Sequence, residues 1–170
     1  MLLSICIPTY NRATSLANCL NSIKIAQKFI DNIEVEVCIS DNASDDNTEE
    51  VVKSFEKEIK IKYLKNYENL GFAKNAIKVV SAASGEFSWL IGDDDLIIPT
   101  AFQKISKLIQ DNSEVDYFFI NSYHLNSNYI KKFEMPFDTN NLKFDEMTKI
   151  SNLNDNKKVK FWEIINQDVS

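Results

Sequence analysis

Apolar and polar positions along the first two-thirds of the chain change period in a regular order. "LLSICIP", near the start, is a short apolar run of strand length. In "TSLANCLNSIKIAQKFI" the apolar residues Leu16, Cys19, Leu20, Ile23 and Ile30 recur at helical spacing. "IEVEVCIS" is β-branched and reads as a second strand. "NTEEVVKSFEKE" predicts a helix with Asn47 or Thr48 as N-cap, and Glu49 and Glu50 suit a first turn whose dipole favours negative charge. "KIKYLKN" predicts a third strand. "FAKNAIKVVSAAS" predicts a helix with Ala73, Ile77 and Val80 on one face, and Gly85 is placed to end it. "FSWLI" predicts a fourth strand. Pro99 then opens a helix that turns Phe102, Ile105, Leu108 and Ile109 inward, and "VDYFFINSY" predicts a fifth strand.

This alternation implies an α/β three-layer sandwich around a mostly parallel sheet. In such sheets ligands bind outside the carboxyl ends of the strands. The polar clusters "PTYNR", "DNASDD" and "GDDD" follow strands 1, 2 and 4, so all three should gather at one edge. Asp45 and Asp46 read as loop and N-cap residues, and Asn69 and Gly71 as shaping the turn before the third helix. From about residue 124 the chain becomes rich in Asn and Lys with thinly spread apolar residues. Residues 1–123 are therefore read as the core. Residues 124–170 are a partial region too short for a second domain of ordinary size. An extended excursion or a pair of short strands is expected there. "VKFWEIINQ" reads as a short helix, with Phe161, Trp162 and Ile165 as the residues to tie the segment down.

Composition narrows the function. The 170 residues suffice for one domain, and 44% hydrophobic with 26% charged is the balance of a soluble globular protein. No apolar stretch approaches the roughly 20 residues that span a bilayer. "MLLSICIPTYNR" lacks a basic n-region and reads as a strand rather than a signal peptide. A net charge of −6 argues against generic nucleic-acid binding. Cys6, Cys19 and Cys38 are odd in number, widely spaced and set in apolar runs, so they read as buried hydrophobes in a reducing compartment. The single histidine, His124, has no nucleophile elbow near it and reads as structural or exposed.

"SWLIGDDDLIIP" carries the candidate chemistry. Asp93, Asp94 and Asp95 repel one another at the mouth of the core. A hard divalent cation answers that repulsion: Mg²⁺ or Mn²⁺ takes one or two carboxylates plus phosphate oxygens and water, and bridges to a diphosphate. An isolated acidic triplet is more often a solvated turn. Its junction with an apolar strand, beside two other polar strand ends, reverses that preference.

The ordered set "SICIPTYNR", "VCISDNASDDNTEEVV" and "NLGFAKNAIKVVSAASGEFSWLIGDDDLIIP", spanning roughly residues 3 to 100, resembles the family 2 glycosyltransferases of the GT-A fold. The resemblance implies a Rossmann-like GT-A sandwich, a nucleotide-diphosphate sugar donor, a divalent cation and inversion at the anomeric carbon. It implies a glycan or lipid-linked acceptor, a cytoplasmic location with room for peripheral membrane association, and work in bacterial surface glycan synthesis. Pro8, Thr9 and Tyr10 match the family segment that contacts the base, and Asp41 the carboxylate that hydrogen-bonds it. Lys74 stands where the family usually has an arginine, so a phosphate contact there would lose the bidentate fork. The acidic run fits the Asp-X-Asp motif. Counting back from Pro99 makes Asp94 the metal ligand and Asp93 a ribose or phosphate neighbour, with Asp93-X-Asp95 as the other register. Gly92 then replaces the first family aspartate. Arg12 is divided between a phosphate contact and solvent, and Trp89 reads as core.

The family's catalytic base lies well downstream of the acidic run. Asp138, Asp145, Glu146 and Glu163 are available here, none in a family-like context, so the chain reads as truncated or unusually short. A non-catalytic nucleotide-sugar-binding fragment is the main rival. A nucleotidyltransferase would show a glycine-rich loop after strand 1, and a haloacid-dehalogenase-type phosphatase would show an aspartate there; "PTYNR" has neither.

Overall fold

The computed structural model describes residues 2–30 and 33–150. The expectations for "VKFWEIINQ", Phe161, Trp162, Glu163 and Ile165 lie outside the described residues. Four strands, β1 (Leu2–Thr9), β2 (Glu34–Asp41), β3 (Ile61–Lys65) and β4 (Phe87–Leu90), form one parallel sheet in the order β3-β2-β1-β4. Helices α1 (Ala13–Gln27), α2 (Thr48–Phe55), α3 (Phe72–Ser81) and α4 (Ala101–Gln110) fall between and after them. This is the expected α/β sandwich.

Strand alternation decides which face is the core. Leu3, Ile5 and Ile7 of β1 and Val35, Val37 and Ile39 of β2 point to one side. There they meet Leu16, Cys19, Leu20 and Ile23 of α1, Val52 and Phe55 of α2, and Phe102, Ile105 and Ile109 of α4. The intervening residues face α3 and are small or polar: Ser4 and Cys6, then Glu36, Cys38 and Ser40. Val79 of α3 closes a thin cluster with Cys6 and Cys38. All three thiols are free and buried.

Three local expectations are corrected. The face Ala73, Ile77, Val80 of α3 is the outer one: Asn75, Ala76 and Val79 are buried, while Ile77 is 68% exposed. Gly85 does not end α3, which stops at Ser81; a Cβ at Gly85 would lie 2.7–2.8 Å from Ser4 Oγ, Ser4 N and Leu2 O, so glycine is needed for close approach to β1. Pro99 lies in a turn before α4, which starts at Ala101 after Thr100.

"VDYFFINSY" does not join the parallel sheet. Phe118 and Ile120 pack on the core, and the Phe118 ring meets Phe87 edge-on with centroids 5.9 Å apart, but only Tyr123–Leu125 (β5) forms a strand. That strand pairs antiparallel with β6 (Met147–Lys149), the pair of short strands foreseen beyond residue 124. Between them, a four-residue helix α5 (Ser127–Ile130) and the 3₁₀ turns Thr139–Asn141 and Phe144–Glu146 surround an aromatic cluster of Tyr129, Phe133 and Phe137. Phe137 is fully buried. Its backbone N–H donates to Asn18 Oδ1 (2.7 Å), and its carbonyl accepts from Asn21 Nδ2 (2.9 Å), both on α1.

Candidate functional site

Register places the three polar clusters. Thr9 and Asp41 are lateral neighbours at the ends of β1 and β2. Beyond β4, the Ile91 N–H still donates to the Cys6 carbonyl (3.1 Å), so the chain runs on beside β1 until Asp93 reaches the level of Thr9. There the Thr9 hydroxyl donates to Asp93 Oδ2 (2.8 Å). Arg12 bridges two carboxylates with one nitrogen: Nη1 lies 2.9 Å from Asp93 Oδ1 and 3.1 Å from Asp94 Oδ2. The hydrogen bond to Asp93 and the two nearby negative charges push the Arg12 guanidinium pKa up.

The three aspartates are thereby distinguished. The Asp93 side chain is 6% exposed and held from two sides; that of Asp94 is 62% exposed. Asp95 closes the turn by accepting from the Gly92 N–H at 2.7 Å. A Cβ at Gly92 would lie 2.8 Å from Asp94 Oδ1 and 3.3 Å from Asp95 Oδ2, so an aspartate at 92 would displace both. Cys19 lies beneath; burial first, then the negative charges of Asp95, Asp93 and Asp94, raise its thiol pKa and keep it neutral.

The loop after β2 is held by carboxylates and amides. Asp41 is fully buried and uses both oxygens: Oδ1 accepts from the Ser44 N–H (2.8 Å), Oδ2 from the Tyr63 hydroxyl (2.6 Å). Burial, then this hydrogen bond, raises the Tyr63 pKa. Asp46 receives the Ala13 N–H of α1 (2.9 Å) and the Thr48 N–H of α2 (3.1 Å), so one carboxylate serves two helix starts. The capping expected of Asn47 or Thr48 thus falls to Asp46; Asn47 makes no side-chain cap bond. Asn11, in the left-handed region at φ 51°, exchanges hydrogen bonds with the same loop: its N–H donates to Ser44 Oγ and its Oδ1 accepts from the Asp45 N–H, each at 2.9 Å.

A second network joins β2 to α3. Asn75 Nδ2 donates to the Ser40 carbonyl (2.8 Å), and Asn75 Oδ1 accepts from Ser40 Oγ (2.7 Å) and Asn66 Nδ2 (2.9 Å). Asn42 links Asn66, Asn69 and the Leu70 N–H. Asn69 also accepts from the Gly71 N–H, where Gly71 holds φ 79°, so this pair does shape the turn before α3.

Of the residues singled out from sequence, Thr9, Asp93, Asp94 and Arg12 form one bonded cluster. Pro8 and Tyr10 flank Thr9, with Tyr10 44% exposed. Lys74 stands exposed on the first turn of α3, outside the cluster's hydrogen bonds. Asp138 caps its own 3₁₀ turn, accepting from the Asn140 N–H at 2.8 Å, and Asp145 and Glu146 are exposed on the next. Sequence reasoning missed Tyr63, Asn42, Asn66 and Asn75. Asn42 and Asn66 directly follow the ends of β2 and β3, where buried backbone groups need partners, and that was the available signal; nothing local marked Asn75, inside α3, or Tyr63.

Two oxygens from adjacent aspartates converging on a single cationic nitrogen suit a cation that takes few carboxylates and completes its shell with phosphate and water. Among the described residues, no three His, Cys, Asp or Glu side chains form a metal cage. No helix among them is long and apolar enough to cross a membrane.

The family model for glycosyl transferase family 2 matches residues 4–164. The chain is 38% identical over 117 residues to the abequosyltransferase RfbV of Salmonella typhimurium, covering 68% of this chain and 34% of that protein. It is 36% identical over 115 residues to the GalNAc(5)-diNAcBac-PP-undecaprenol β-1,3-glucosyltransferase of Campylobacter jejuni, covering 66% and 35%. A crystal structure of S. aureus TarS 1-349 in complex with UDP superposes with a TM-score of 0.61 at 25% identity, covering 74% of this chain and 35% of that one. The chain thus spans about a third of the length of each. With the fold, the clustered strand ends and this match over most of its length, the chain belongs to glycosyl transferase family 2.

Proposed function

We propose that this chain binds a nucleotide-diphosphate sugar at the C-terminal edge of its sheet and serves inverting transfer of the sugar to an acceptor hydroxyl, with Mn²⁺ or Mg²⁺. The observation that carries this reading is the convergence of Asp93 and Asp94 on one cationic point beside the ends of β1 and β2. Asp94, the exposed partner, would hold the metal directly, with Asp93 beside it and Asp95 shaping the turn. When bound, the metal supplies Lewis-acid stabilisation of the departing diphosphate. Pro8, Thr9 and Tyr10 border the base; Asp41, expected to hydrogen-bond it, is buried with its oxygens accepting from Ser44 and Tyr63, and is given the role of holding the loop beside the base. Lys74 meets a phosphate as a point charge. UDP is the first nucleotide to test, because the TarS structure holds it. A lipid-linked saccharide is the acceptor class favoured by the similarity to the Campylobacter glucosyltransferase of a PP-undecaprenol-linked saccharide.

A second reading is favoured by the positions of Asp138, which caps a 3₁₀ turn of the 124–150 region, and of Asp145 and Glu146, exposed on the next. On that reading residues 1–150 bind donor and metal, and the base comes from elsewhere in a longer protein. A thermal-shift panel of UDP, GDP, CDP and dTDP with Mn²⁺ tests the common part. One diphosphate should raise the melting temperature, with a shift that grows with the logarithm of its concentration over its dissociation constant. Asp94→Asn should weaken that metal-dependent binding at least about tenfold. No shift with any nucleotide, or an unaffected Asp94→Asn, rejects the donor site. Sugar transfer by the 170-residue chain rejects the second reading.

A further inference from the structure

Arg12 occupies the place the proposed function gives to a cation. Its Nη1 sits within hydrogen-bond distance of Asp93 Oδ1 and Asp94 Oδ2 together. A guanidinium and a divalent cation cannot share that point: at a few ångströms the repulsion from the doubly charged ion offsets what the guanidinium gains from the two carboxylates. The backbone beneath Arg12 is fixed. Asn11 before it is pinned to Ser44 and Asp45, and the Arg12 carbonyl accepts from Leu16 N in the first turn of α1. The Arg12 side chain, by contrast, is 53% exposed and outside the core. Asp93 has a second anchor besides the guanidinium, the Thr9 hydroxyl that donates to its Oδ2 at 2.8 Å. The side chain can therefore leave the acidic pair without the loop or Asp93 moving.

The geometry points to Arg12 as a resident counter-ion that competes with the divalent cation for Asp93 and Asp94 and yields when a diphosphate arrives. This role rests on the donor-site reading above. A diphosphate offers the guanidinium a bidentate anionic partner and offers the metal additional oxygens. Metal and diphosphate then favour each other's binding beyond their direct contact, and by linkage the effect is equal in both directions. Arg12 is a positioning residue here, and its consequence is ordered loading: metal alone is held off, and metal with diphosphate is accepted.

The test is Mn²⁺ binding to the intact 170-residue chain, read from the electron paramagnetic resonance signal of free Mn²⁺, with and without UDP. Arg12→Gln should bind Mn²⁺ alone at least about fivefold more tightly than the parent, and UDP should enhance its Mn²⁺ binding less. Arg12→Lys, which restores a cation, should return Mn²⁺ affinity to within about twofold of the parent. Adding Asp94→Asn to Arg12→Gln should abolish the gain. Equal or weaker Mn²⁺ binding by a folded Arg12→Gln overturns the inference. So does a gain that survives Asp94→Asn, since the metal then sits elsewhere. If Mn²⁺ and UDP still bind the parent together, the donor-site reading outlives that failure. If neither protein binds Mn²⁺ at millimolar concentration, the metal and the competition fall together.

Discussion

At the scale of single residues, the buried carboxylates among the described residues are each met by more than one donor. Glu36 lies in the middle of a buried strand, 5% exposed, on the thinly covered face of the sheet. Burial pushes its pKa up, but Ser4 Oγ (2.6 Å), Ser84 N (2.7 Å) and Ser84 Oγ (2.9 Å) donate to it and outweigh that, leaving its pKa lowered. A lowered folded pKa stabilises the fold above the unfolded value of about 4.3. That contribution is lost as pH falls through the folded value. Glu36→Gln should therefore cost about 1–3 kcal/mol at neutral pH and flatten the acid limb of stability below about pH 5. Urea unfolding across this range checks it; parallel acid limbs for parent and variant would reject the account. "IEVEVCIS" displayed Glu36 plainly. Its partners were hidden because Ser4 and Ser84 are 32 and 48 residues away.

At the scale of elements, helix α3 separates propensity from placement. Its sequence carries apolar residues on more than one side: Ala76 and Val79 inward, Ile77 and Val80 outward. Periodicity located the helix but not its buried face, because that choice depends on which side meets β1 and β2. Asn75, polar and buried, decides it by bonding to Ser40. Val79→Asp should destabilise the chain by about 3 kcal/mol or more, through a buried unpaired carboxylate. Ile77→Asp should stay within about 0.5 kcal/mol. Thermal and urea unfolding of the two variants decides between the faces, and equal damage at both sites would mean that Ile77 is also covered. The fifth strand failed for a related reason. "VDYFFINSY" has strand composition, but β-propensity gives no ladder without a neighbour whose edge is in reach.

At the scale of the whole molecule, the 124–150 region is tied to the sandwich through α1. Sequence composition predicted a segment held by Phe161, Trp162 and Ile165 alone. Among the described residues, Phe137 is an anchor, buried with Tyr129 and Phe133 and clamped through its backbone by Asn18 and Asn21. Two side-chain hydrogen bonds to the backbone of one buried residue contribute about 1–3 kcal/mol together. Replacing Asn18 and Asn21 jointly by alanine should speed amide exchange across residues 129–142 by about tenfold or more and leave exchange in β1 and β2 unchanged. Unchanged exchange at 129–142 would show that the aromatic cluster holds without α1. The same helix begins beside the acidic run, just after its N-cap Arg12, so α1 carries both an arginine of the acidic cluster and the docking of the later region.

The sequence by itself determined the order of strands and helices, the sandwich, the strand-end clusters and the resemblance to the family. The elements and the clusters follow from period and local chemistry, and the resemblance rests on the ordered motifs between residues 3 and 100. The tertiary structure decided which face of α3 is buried, which aspartate is enclosed and which is open, and that Arg12 stands between them. Those outcomes depend on register. Thr9 faces Asp41 and Asp93 only because β2 ends level with β1 and the chain after β4 runs on beside β1, and no local window contains residues 32 and 84 positions apart.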